Sequence, residues 1–556
     1  MQLWTLDHAD SVCAGFLNHV ASVRLPQSKF TNNMTTTDDR NEPKLASANG
    51  RHIHIKDEDI FIVNPFFRLR NSNGRVIIYG AEGIGTYAAH KAHAIVVALC
   101  NGKRTVSDIV RLTRPFVTAA NEEDALKTGT AIVKAVMSHY IKTKEEQQQQ
   151  ETRPSDFPAT SVLISKSDYD AKVRRLGVSE VQYDPEKFLP KDATDIADLN
   201  ATVLHEQAPI SINWHFTSEC STDCKYCYLR RRDVKPLPKE RTLSLIEEAA
   251  QIGVLNISPN GGDILLYKHL KEVMKLLNDR KFLPAMLSTK SFLSKEKARI
   301  LADAAGYIWQ LQFSIDSTVP EIAQYLVGVK DYPERIFSSI DNALEVGLRV
   351  TAKAVITPYN ILTIPKLYRE LKQRGVLYVR LASYGRSGFH HSDDLFNQKE
   401  SFDWLERQIV QLRKEFPKDH IEIQNGQPTT SPQSVESRRE SWGQRSACTA
   451  GRSAMMICTD GKVIPCEQMP ETEEYFCGDV ATQSIQEVWA SERIRDFTYG
   501  VPIDRFKGQP CYDCEEQELC LHVKGNCIRD LAIHQHNIYQ PPPNCPKATL
   551  PFIRTF

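Results

Sequence analysis

Three cysteines within eight residues, Cys220, Cys224 and Cys227, constrain this chain more than any other feature of its 556 residues. They follow an apolar run at residues 210–216, which predicts a buried strand. Three thiolates this close can hold three corners of a [4Fe–4S] cluster and leave the fourth iron without a protein ligand. Zinc is the alternative, but structural zinc takes four ligands, and no further Cys or His follows in ligand spacing. The sequence therefore predicts a strand that ends at an iron–sulfur cluster with one open iron.

The triplet resembles the signature of the radical S-adenosylmethionine (SAM) superfamily, including the aromatic Tyr226 directly before the third cysteine. In that family the open iron binds the amino and carboxylate groups of SAM. One electron then cleaves SAM to methionine and a 5′-deoxyadenosyl radical, which removes a hydrogen atom from an unreactive C–H bond. The resemblance implies an enzyme, with the three cysteines as metal ligands and Tyr226 in the cofactor site.

Composition favours a cytoplasmic protein of several domains. The length suggests roughly three domains. Lys+Arg and Asp+Glu both total 69, so no net charge argues for nucleic acid or an anionic membrane as partner. No apolar run reaches the roughly 20 residues that span a bilayer, and the N-terminus lacks the pattern of a secretory signal. The 14 cysteines therefore indicate metal binding rather than disulfides.

Residues 59–142 predict a winged-helix domain that follows an N-terminal extension at residues 1–58. Strands, a tight turn and three helices are expected in this order: residues 60–63, 66–70, Asn73-Gly74, 75–79, 87–100, a helix from Thr105 and a helix across 126–140. The pattern is similar to the RiPP recognition element, which binds the leader of a ribosomally made precursor peptide as an added strand. A winged helix that binds DNA or only packs is the alternative.

Strands and helices alternate across residues 206–425, between predicted linkers at 143–205 and 426–447. The expected strands are residues 210–216, 254–258, 286–289, 308–315, 350–356 and 378–382. Six β/α units imply an α/β fold with a parallel sheet, and radical SAM enzymes have such a (β/α)₆ partial TIM barrel. Chemistry in these barrels gathers at the C-terminal ends of the strands, where the first strand places Cys220.

The segment Asn260-Gly261-Gly262-Asp263 follows the second predicted strand. It resembles the Gly-Gly-Glu motif of the radical SAM family, with Asp in place of Glu. The resemblance implies that its backbone and its carboxylate bind the SAM ammonium, since glycines let the backbone approach a ligand closely. An ordinary strand-to-helix turn is the alternative.

Further SAM contacts are implied at the ends of the next strands. Ser288, Ser314 and Asp316 resemble the positions that bind the SAM ribose, because a carboxylate can accept from both ribose hydroxyls. Related enzymes often carry an Arg that pairs with the SAM carboxylate, and none lies near the expected position. Lys353 on the fifth strand is the expected substitute, unless it only meets a helix carboxylate.

Seven cysteines between residues 448 and 556 have the order of a SPASM domain, which binds two auxiliary iron–sulfur clusters. The resemblance implies two ligand groups: Cys448, Cys466 and Cys527 for the first cluster, and Cys511, Cys514, Cys520 and Cys545 for the second. Cys458 is a candidate fourth ligand of the first cluster, which otherwise keeps an open iron. The gap before Cys527 is six residues where three are usual. A zinc site is the alternative for the second group.

Glu467 directly follows Cys466 and matches the position of a carboxylate base in sulfatase-maturing relatives. The resemblance implies that Glu467 is a catalytic residue that accepts a proton as the substrate radical is oxidised. A surface carboxylate is the alternative.

Together the resemblances imply a radical SAM/SPASM oxidoreductase that modifies a precursor peptide. Residues 59–142 would bind the leader, and flavodoxin or ferredoxin would donate electrons. The implied product is a side-chain cross-link of the C–C, C–O or thioether type. Two alternatives stay open: a maturase of a folded protein such as a sulfatase, and a non-catalytic iron–sulfur protein that binds peptide or regulates.

Overall fold

The computed structural model describes residues 53–81, 86–117, 121–141, 161–174, 180–190, 203–229, 234–284, 286–305, 310–424, 435–535, 537–543 and 545–548. The chain divides into two compact units. One holds Met1–Glu151 and Phe157–Thr202, and the other holds Thr152–Asp156 and Val203–Phe556. Most of the predicted N-terminal extension and of the predicted linker at 143–205 lies outside the described residues.

In its described part, the first unit combines two antiparallel sheets with three helices of eight residues or more. The strands are β1 Ile60–Val63, β2 Phe67–Ser72, β3 Arg75–Gly80, β4 Thr86–Ala89, β5 Asn101–Thr105 and β6 Leu163–Ser165, and the helices are α1 Lys91–Leu99, α2 Val106–Thr113 and α3 Glu122–Tyr140. The sheet orders are β5-β1-β6 and β2-β3-β4. The winged-helix assignment stays a prediction.

Local signals in the first unit are confirmed where they depend on turns and caps. Asn73 and Gly74 both have positive φ, 51° and 72°, as a two-residue hairpin turn of this type requires. The Thr105 hydroxyl accepts from the N–H of Asp108 in a capping box that starts α2. The helix expected from residue 87 begins only at Lys91, because β4 pairs with β3 instead of joining the helix.

The second unit begins with strands that alternate with helices. The strands are β7 Ser211–Thr217, β8 Asn256–Gly261, β9 Met286–Thr289, β10 Gln310–Ser314, β11 Arg349–Ile356, β12 Tyr378–Ser383 and β13 Ile423–Gln424, and the helices are α4 Lys239–Gln251, α5 Leu270–Asp279, α6 Lys295–Ala305, α7 Pro320–Val327, α8 Tyr332–Glu345, α9 Ile364–Gln373 and α10 Lys399–Glu415. The strand expected at residues 286–289 has those bounds, and the alternating α/β pattern is confirmed.

Strands β7 to β12 run parallel to their neighbours in chain order. β7 pairs with β8, and β9 to β12 pair in sequence. A parallel bridge between Asn256 and Leu283 links β8 to the segment that leads into β9. Their C-terminal ends therefore gather at one edge, as the sequence predicts, while closure into a partial barrel stays a prediction.

The C-terminal region continues one of these sheets. Its elements are α11 Val435–Gln444, β14 Ala454–Ile457, β15 Lys462–Ile464, β16 Gly478–Asp479, α12 Ile485–Trp489, α13 Glu492–Phe497 and α14 Ile528–Gln535. β14 pairs in parallel with β7, which gives the order β16-β15-β14-β7-β8. The first hairpin of the C-terminal cysteine region therefore lies directly beside the strand that leads to Cys220.

Trp214 and Phe216 stack with ring centroids 4.6 Å apart and are 1% and 2% exposed, which anchors β7 in the apolar core.

No helix in the described ranges combines the length and the apolar character that crossing a bilayer requires.

Candidate active site

The loop after β7 presents the cysteine triplet. The Thr222 hydroxyl lies 3.3 Å from the Cys220 sulfur and 3.4 Å from the Cys224 sulfur, so it stands between these two thiols. The backbone N–H groups of Asp223 and Lys225 donate to carbonyls at the C-terminal end of α7, at 2.9 and 3.0 Å. These two contacts hold the loop without using a cysteine thiol.

The donor set of this loop fits an iron–sulfur cluster. Burial raises the pKa of Cys224, and the nearby charge of Lys290 acts in the opposite direction. Because metal binding needs the thiolate, a bound cluster would displace that proton. Across the described ranges, no three His, Cys, Asp or Glu side chains converge closely enough to hold a single metal ion. Three thiols on one short loop are a donor set that iron–sulfur clusters take.

The two glycines after β8 pack against the backbone that leads to Cys220. A Cβ on Gly261 would meet the carbonyl oxygen of Thr217 at 2.3 Å, and one on Gly262 would meet those of Glu219 and Ser218 at 2.2 and 2.6 Å. The N–H of Gly262 donates to the Thr217 carbonyl at 2.8 Å. Only glycine fits here, so the motif shapes the triplet loop, and its predicted contact with SAM stays a prediction.

The carboxylate of Asp263 has partners within the protein. It is 1% exposed, and its two oxygens lie 2.8 and 2.9 Å from the Thr289 hydroxyl. It also accepts from the N–H groups of Lys290 at 2.8 Å and Leu265 at 3.1 Å. These contacts hold the loop after β9, and the predicted contact of the carboxylate with the SAM ammonium stays a prediction.

Asp316 is likewise surrounded by protein donors. It is 1% exposed, and it accepts from the Tyr226 hydroxyl and from the N–H of Val355, the latter at 2.8 Å. The ammonium of Lys290 lies 3.4 Å from Asp316 and 3.1 Å from the Tyr226 oxygen. Although burial lowers the pKa of Lys290, the charge of Asp316 and its neighbours hold that pKa well above its usual value. The predicted ribose carboxylate is thus part of a buried ion pair.

The two predicted ribose serines are half-buried at the ends of their strands. The Ser288 hydroxyl accepts from the Gln312 amide at 3.2 Å, and the carbonyl of Ser314 accepts from the Tyr332 hydroxyl at 2.6 Å. Both lie at the edge that carries the triplet, and their binding role stays a prediction.

Lys353 lies among charges of both signs. Burial, with the positive charges of Arg380 and Lys290, lowers the pKa of Lys353 to about 8, although Asp316 and Glu467 act in the opposite direction. Lys353 therefore sits near Glu467, whereas Lys290 is the lysine whose charge acts on Cys224. The expected partner of the SAM carboxylate has two candidates in the structure rather than one.

The first predicted auxiliary group is brought together. Burial raises the pKa of Cys466 to about 11, and the charge of Cys448 adds to this. Burial also raises the pKa of Cys527, with Cys448 again contributing, and Arg529 lies near both Cys466 and Cys527. Cys458 is fully buried in the turn between β14 and β15. Its membership of the group stays a prediction.

The second predicted group is also assembled. Burial raises the pKa of Cys511 to about 12, and the charges of the other predicted ligands, Cys545, Cys514 and Cys520, raise it further. The Trp442 indole N–H donates to the Cys520 sulfur at 3.2 Å, and the Lys547 ammonium donates to the Cys514 sulfur at 3.3 Å. Such donors stabilise negative charge on thiolate sulfur and tune the potential of a cluster.

Glu467 is buried at a cleft. The residues that line this cleft are Tyr228, Gly388, Phe389, Glu467, Gln468, Met469, Pro470 and Glu471. Burial raises the pKa of Glu467, while the charges of His215 and Lys353 lower it. A carboxylate with a raised pKa at a cleft is suited to accept a proton. The catalytic role of Glu467 stays a prediction.

A loop after β12 covers the triplet. The His390 imidazole lies 3.2 Å from the Cys224 carbonyl oxygen, and its backbone N–H donates to the Cys227 carbonyl at 3.1 Å. The Ser387 hydroxyl lies 3.3 Å from that same carbonyl. The loop therefore binds the backbone of the triplet and leaves the thiols to their predicted ligand role.

Sequence reasoning missed Lys290, His215, Glu471 and Trp442 as site residues. A lysine directly after β9 carries a signal of its own, because strand ends gather at this edge. His215 and Glu471 lie 256 residues apart, so no local pattern joins them.

Comparisons with known proteins agree with the assembled cysteine groups. Residues 214–371 match the radical SAM superfamily, and residues 448–515 match SPASM, an iron–sulfur cluster-binding domain. The chain carries a radical SAM domain and a SPASM domain. These domains imply an iron–sulfur cluster and SAM as cofactors.

Relatives with assigned activities match parts of the chain. A GTP 3′,8-cyclase from Sulfurovum is 31% identical over 201 residues, which are 34% of this chain and 60% of that protein. A PqqA peptide cyclase from Gluconobacter oxydans is 21% identical over 315 residues, 56% of this chain and 84% of that protein. The crystal structure of Streptococcus suis SuiB bound to its precursor peptide SuiA is also similar, with a TM-score of 0.58 and 14% identity. The structural match covers 87% of this chain and 100% of SuiB. At that identity the likeness shows the fold.

Proposed function

We propose that this protein is a radical SAM/SPASM enzyme that modifies a ribosomally made precursor peptide through hydrogen abstraction and forms a side-chain cross-link. The observation that carries the proposal is the cleft lined by Tyr228, which directly follows the triplet, and by Glu467, which directly follows Cys466 in the sequence. Relatives support the substrate class, since a PqqA peptide cyclase and SuiB with its precursor peptide are among them.

In this proposal Cys220, Cys224 and Cys227 hold a [4Fe–4S] cluster at the C-terminal edge of the parallel strands. When bound there, the cluster and SAM supply a 5′-deoxyadenosyl radical that removes hydrogen from the substrate. The glycines after β8 hold the triplet loop, and Lys290 offers a buried positive charge beside it. These groups shield the site from water and fix its geometry.

The protein side of substrate oxidation is assigned to Glu467. Its raised pKa suits it to take the proton that leaves the substrate, and the positive charge of Lys353 stabilises the carboxylate form. The two C-terminal cysteine groups are proposed to hold two auxiliary clusters. Those clusters would take up the electron that the substrate radical loses. Flavodoxin or ferredoxin would reduce the cluster held by Cys220, Cys224 and Cys227.

Residues 59–142 are proposed to bind the leader of the peptide. β2 and β4 are the edges of one antiparallel sheet in this segment, and β5 is an edge of the other, whose opposite edge β6 lies outside the segment. An extended leader that adds to such an edge gains main-chain hydrogen bonds at about 1 kcal/mol each. This affinity suits a substrate that must dissociate.

The test uses the short peptide encoded next to the gene for this protein. Reconstituted protein, SAM and dithionite are incubated with the full peptide and with the same peptide without its leader. Mass spectrometry is expected to show loss of two hydrogens from the full peptide and little change in the leaderless one. SAM cleavage without any change in peptide mass would contradict the proposal, and equal modification of both peptides would favour a maturase of folded proteins.

A further inference from the structure

A buried histidine links three segments at the cleft. His215 lies near the end of β7 and is 1% exposed. Its Nδ1 lies 3.1 Å from Oε1 of Glu471, and its Nε2 lies 3.3 Å from the hydroxyl of Tyr228. The Glu471 side chain is 7% exposed, so solvent does not compete for these bonds. We call Tyr228, His215 and Glu471 the Tyr-His-Glu array.

The chemistry of the three groups orders their hydrogen bonds. A carboxylate only accepts, so Nδ1 of His215 carries the proton that is donated to Glu471. In the neutral ring Nε2 then accepts from the Tyr228 hydroxyl. With the ring proton on Nδ1, the Tyr228 hydroxyl is the group of this second pair that carries the bonding hydrogen, so it donates. The array therefore has one consistent direction of donation.

The position of the array gives it a role beyond packing. Tyr228 directly follows Cys227, and Glu471 lies on the segment that follows Cys466. Both side chains line the same cleft as Glu467. One imidazole thus sets the distance between a wall that belongs to the triplet loop and a wall that belongs to the SPASM region.

We propose that His215 is a positioning residue that holds Tyr228 and Glu471 against the reacting residue of the substrate peptide. This inference rests on the proposed function, because it needs a substrate in the cleft. Tyr228 and Glu471 each offer acceptor lone pairs beside these bonds, so the N–H and O–H groups of the reacting residue are held between two acceptors of fixed separation. A misplacement of about 1 Å at such a site costs about 10²-fold in rate.

The array acts after the cofactor has been cleaved, which separates its effect from cofactor binding. When the substrate is misplaced, cleavage goes on while hydrogen abstraction fails. The number of 5′-deoxyadenosine molecules formed per modified peptide therefore reports the positioning. KM for the peptide is set by the leader in the proposed function, so the loss is expected in kcat.

The experiment compares His215→Phe, His215→Asn and His215→Gln with the wild type. Phe removes both hydrogen bonds, Asn retains a donor at the Nδ1 position, and Gln retains a polar group at the Nε2 position. His269→Asn is the matched control, since His269 lies 3.9 Å from Glu272 and touches no residue of the array. Iron content, urea unfolding, 5′-deoxyadenosine and modified peptide are measured for each protein.

For His215→Phe we expect iron content close to the wild type, an unchanged KM, kcat about 10²-fold lower, and 5′-deoxyadenosine per modified peptide about tenfold higher. His215→Asn and His215→Gln should each recover part of the coupling, and a double variant with Tyr228→Phe should lose no more than His215→Phe alone. His269→Asn should match the wild type.

Two results would overturn the inference while the proposed function stands. One is wild-type coupling in His215→Phe, and the other is equal loss of iron and of unfolding midpoint in all three variants, which would mark a purely structural role. A wild type that cleaves SAM but never modifies the peptide would overturn the proposed function and this inference together.

Discussion

Replacing Asp263 with Asn tests whether this carboxylate shapes the site or binds a ligand. The family resemblance implies contact with the SAM ammonium, but the structure shows both oxygens used by Thr289, Lys290 and Leu265. Asn keeps nearly the same volume and one acceptor oxygen. Its amide NH₂ would face an N–H or O–H donor that Asp263 now satisfies.

The expected cost follows from these contacts. Hydrogen bonds to a charged group contribute about 1.5–3 kcal/mol each, and an unsatisfied buried donor costs about 1–3 kcal/mol. Asp263 is 1% exposed, so water does not replace the lost acceptor. Loss of one charge-assisted bond with one donor left unpaired predicts a decrease of about 2–4 kcal/mol in the free energy of unfolding.

The assay is urea unfolding of the protein without SAM, next to calorimetric titration of SAM into iron-loaded protein. Asp279→Asn is the control, because Asp279 lies at the exposed end of α5 and pairs with Lys275, and it should leave the midpoint unchanged. If Asp263→Asn is as stable as the wild type but binds SAM far more weakly, the carboxylate is a ligand group and the structural reasoning is refuted.

Three further predictions concern other parts of the chain. The pKa of Lys353 is about 8 in the folded protein and about 10.5 in the unfolded chain. Because the unfolded state binds more protons between these two values, Lys353 should make the free energy of unfolding rise with pH across that window. Lys353→Met should remove this rise in urea midpoints measured from pH 7 to 10. Trp442→Phe removes the N–H donor to the Cys520 sulfur and should lower the reduction potential of the second auxiliary cluster in an electron paramagnetic resonance titration. Thr105→Ala removes the capping box of α2 and should cost the first unit about 1 kcal/mol in thermal unfolding, while Thr105→Ser should not.

Much of the fold can be predicted from the sequence because its signals are local. The strand at 286–289 and the other parallel strands are short apolar runs, and the turn at Asn73-Gly74 and the cap at Thr105 depend on neighbouring residues. The sequence pattern predicts helix across most of β4, because the pairing of β4 with β3 is a tertiary contact that a local pattern does not show. The pairing of β14 with β7 joins strands more than 200 residues apart, so no local pattern reveals it.

The candidate site divides in the same way. The triplet follows from its spacing and the two C-terminal groups follow from the family resemblance, and the structure brings the members of each group near one another. The membership of Cys458 stays a prediction. The partners of Asp263 and Asp316 could not be predicted. The sequence pattern of an acidic residue after a strand is the same whether its side chain faces a ligand or a neighbouring loop. The link from His215 to Glu471 joins β7 to the SPASM region and depends on the assembled sheet.

The central claim is that the triplet, rather than either C-terminal group, supports SAM cleavage. The direct measurement is 5′-deoxyadenosine formed by anaerobically reconstituted protein with dithionite and SAM, for the wild type and for a variant with Cys220, Cys224 and Cys227 all changed to Ala. The wild type is expected to form 5′-deoxyadenosine, and the variant is expected to form none while it keeps the iron of its C-terminal groups. A wild type that is fully loaded with iron and cleaves no SAM, or a triplet variant that still cleaves it, would contradict the account.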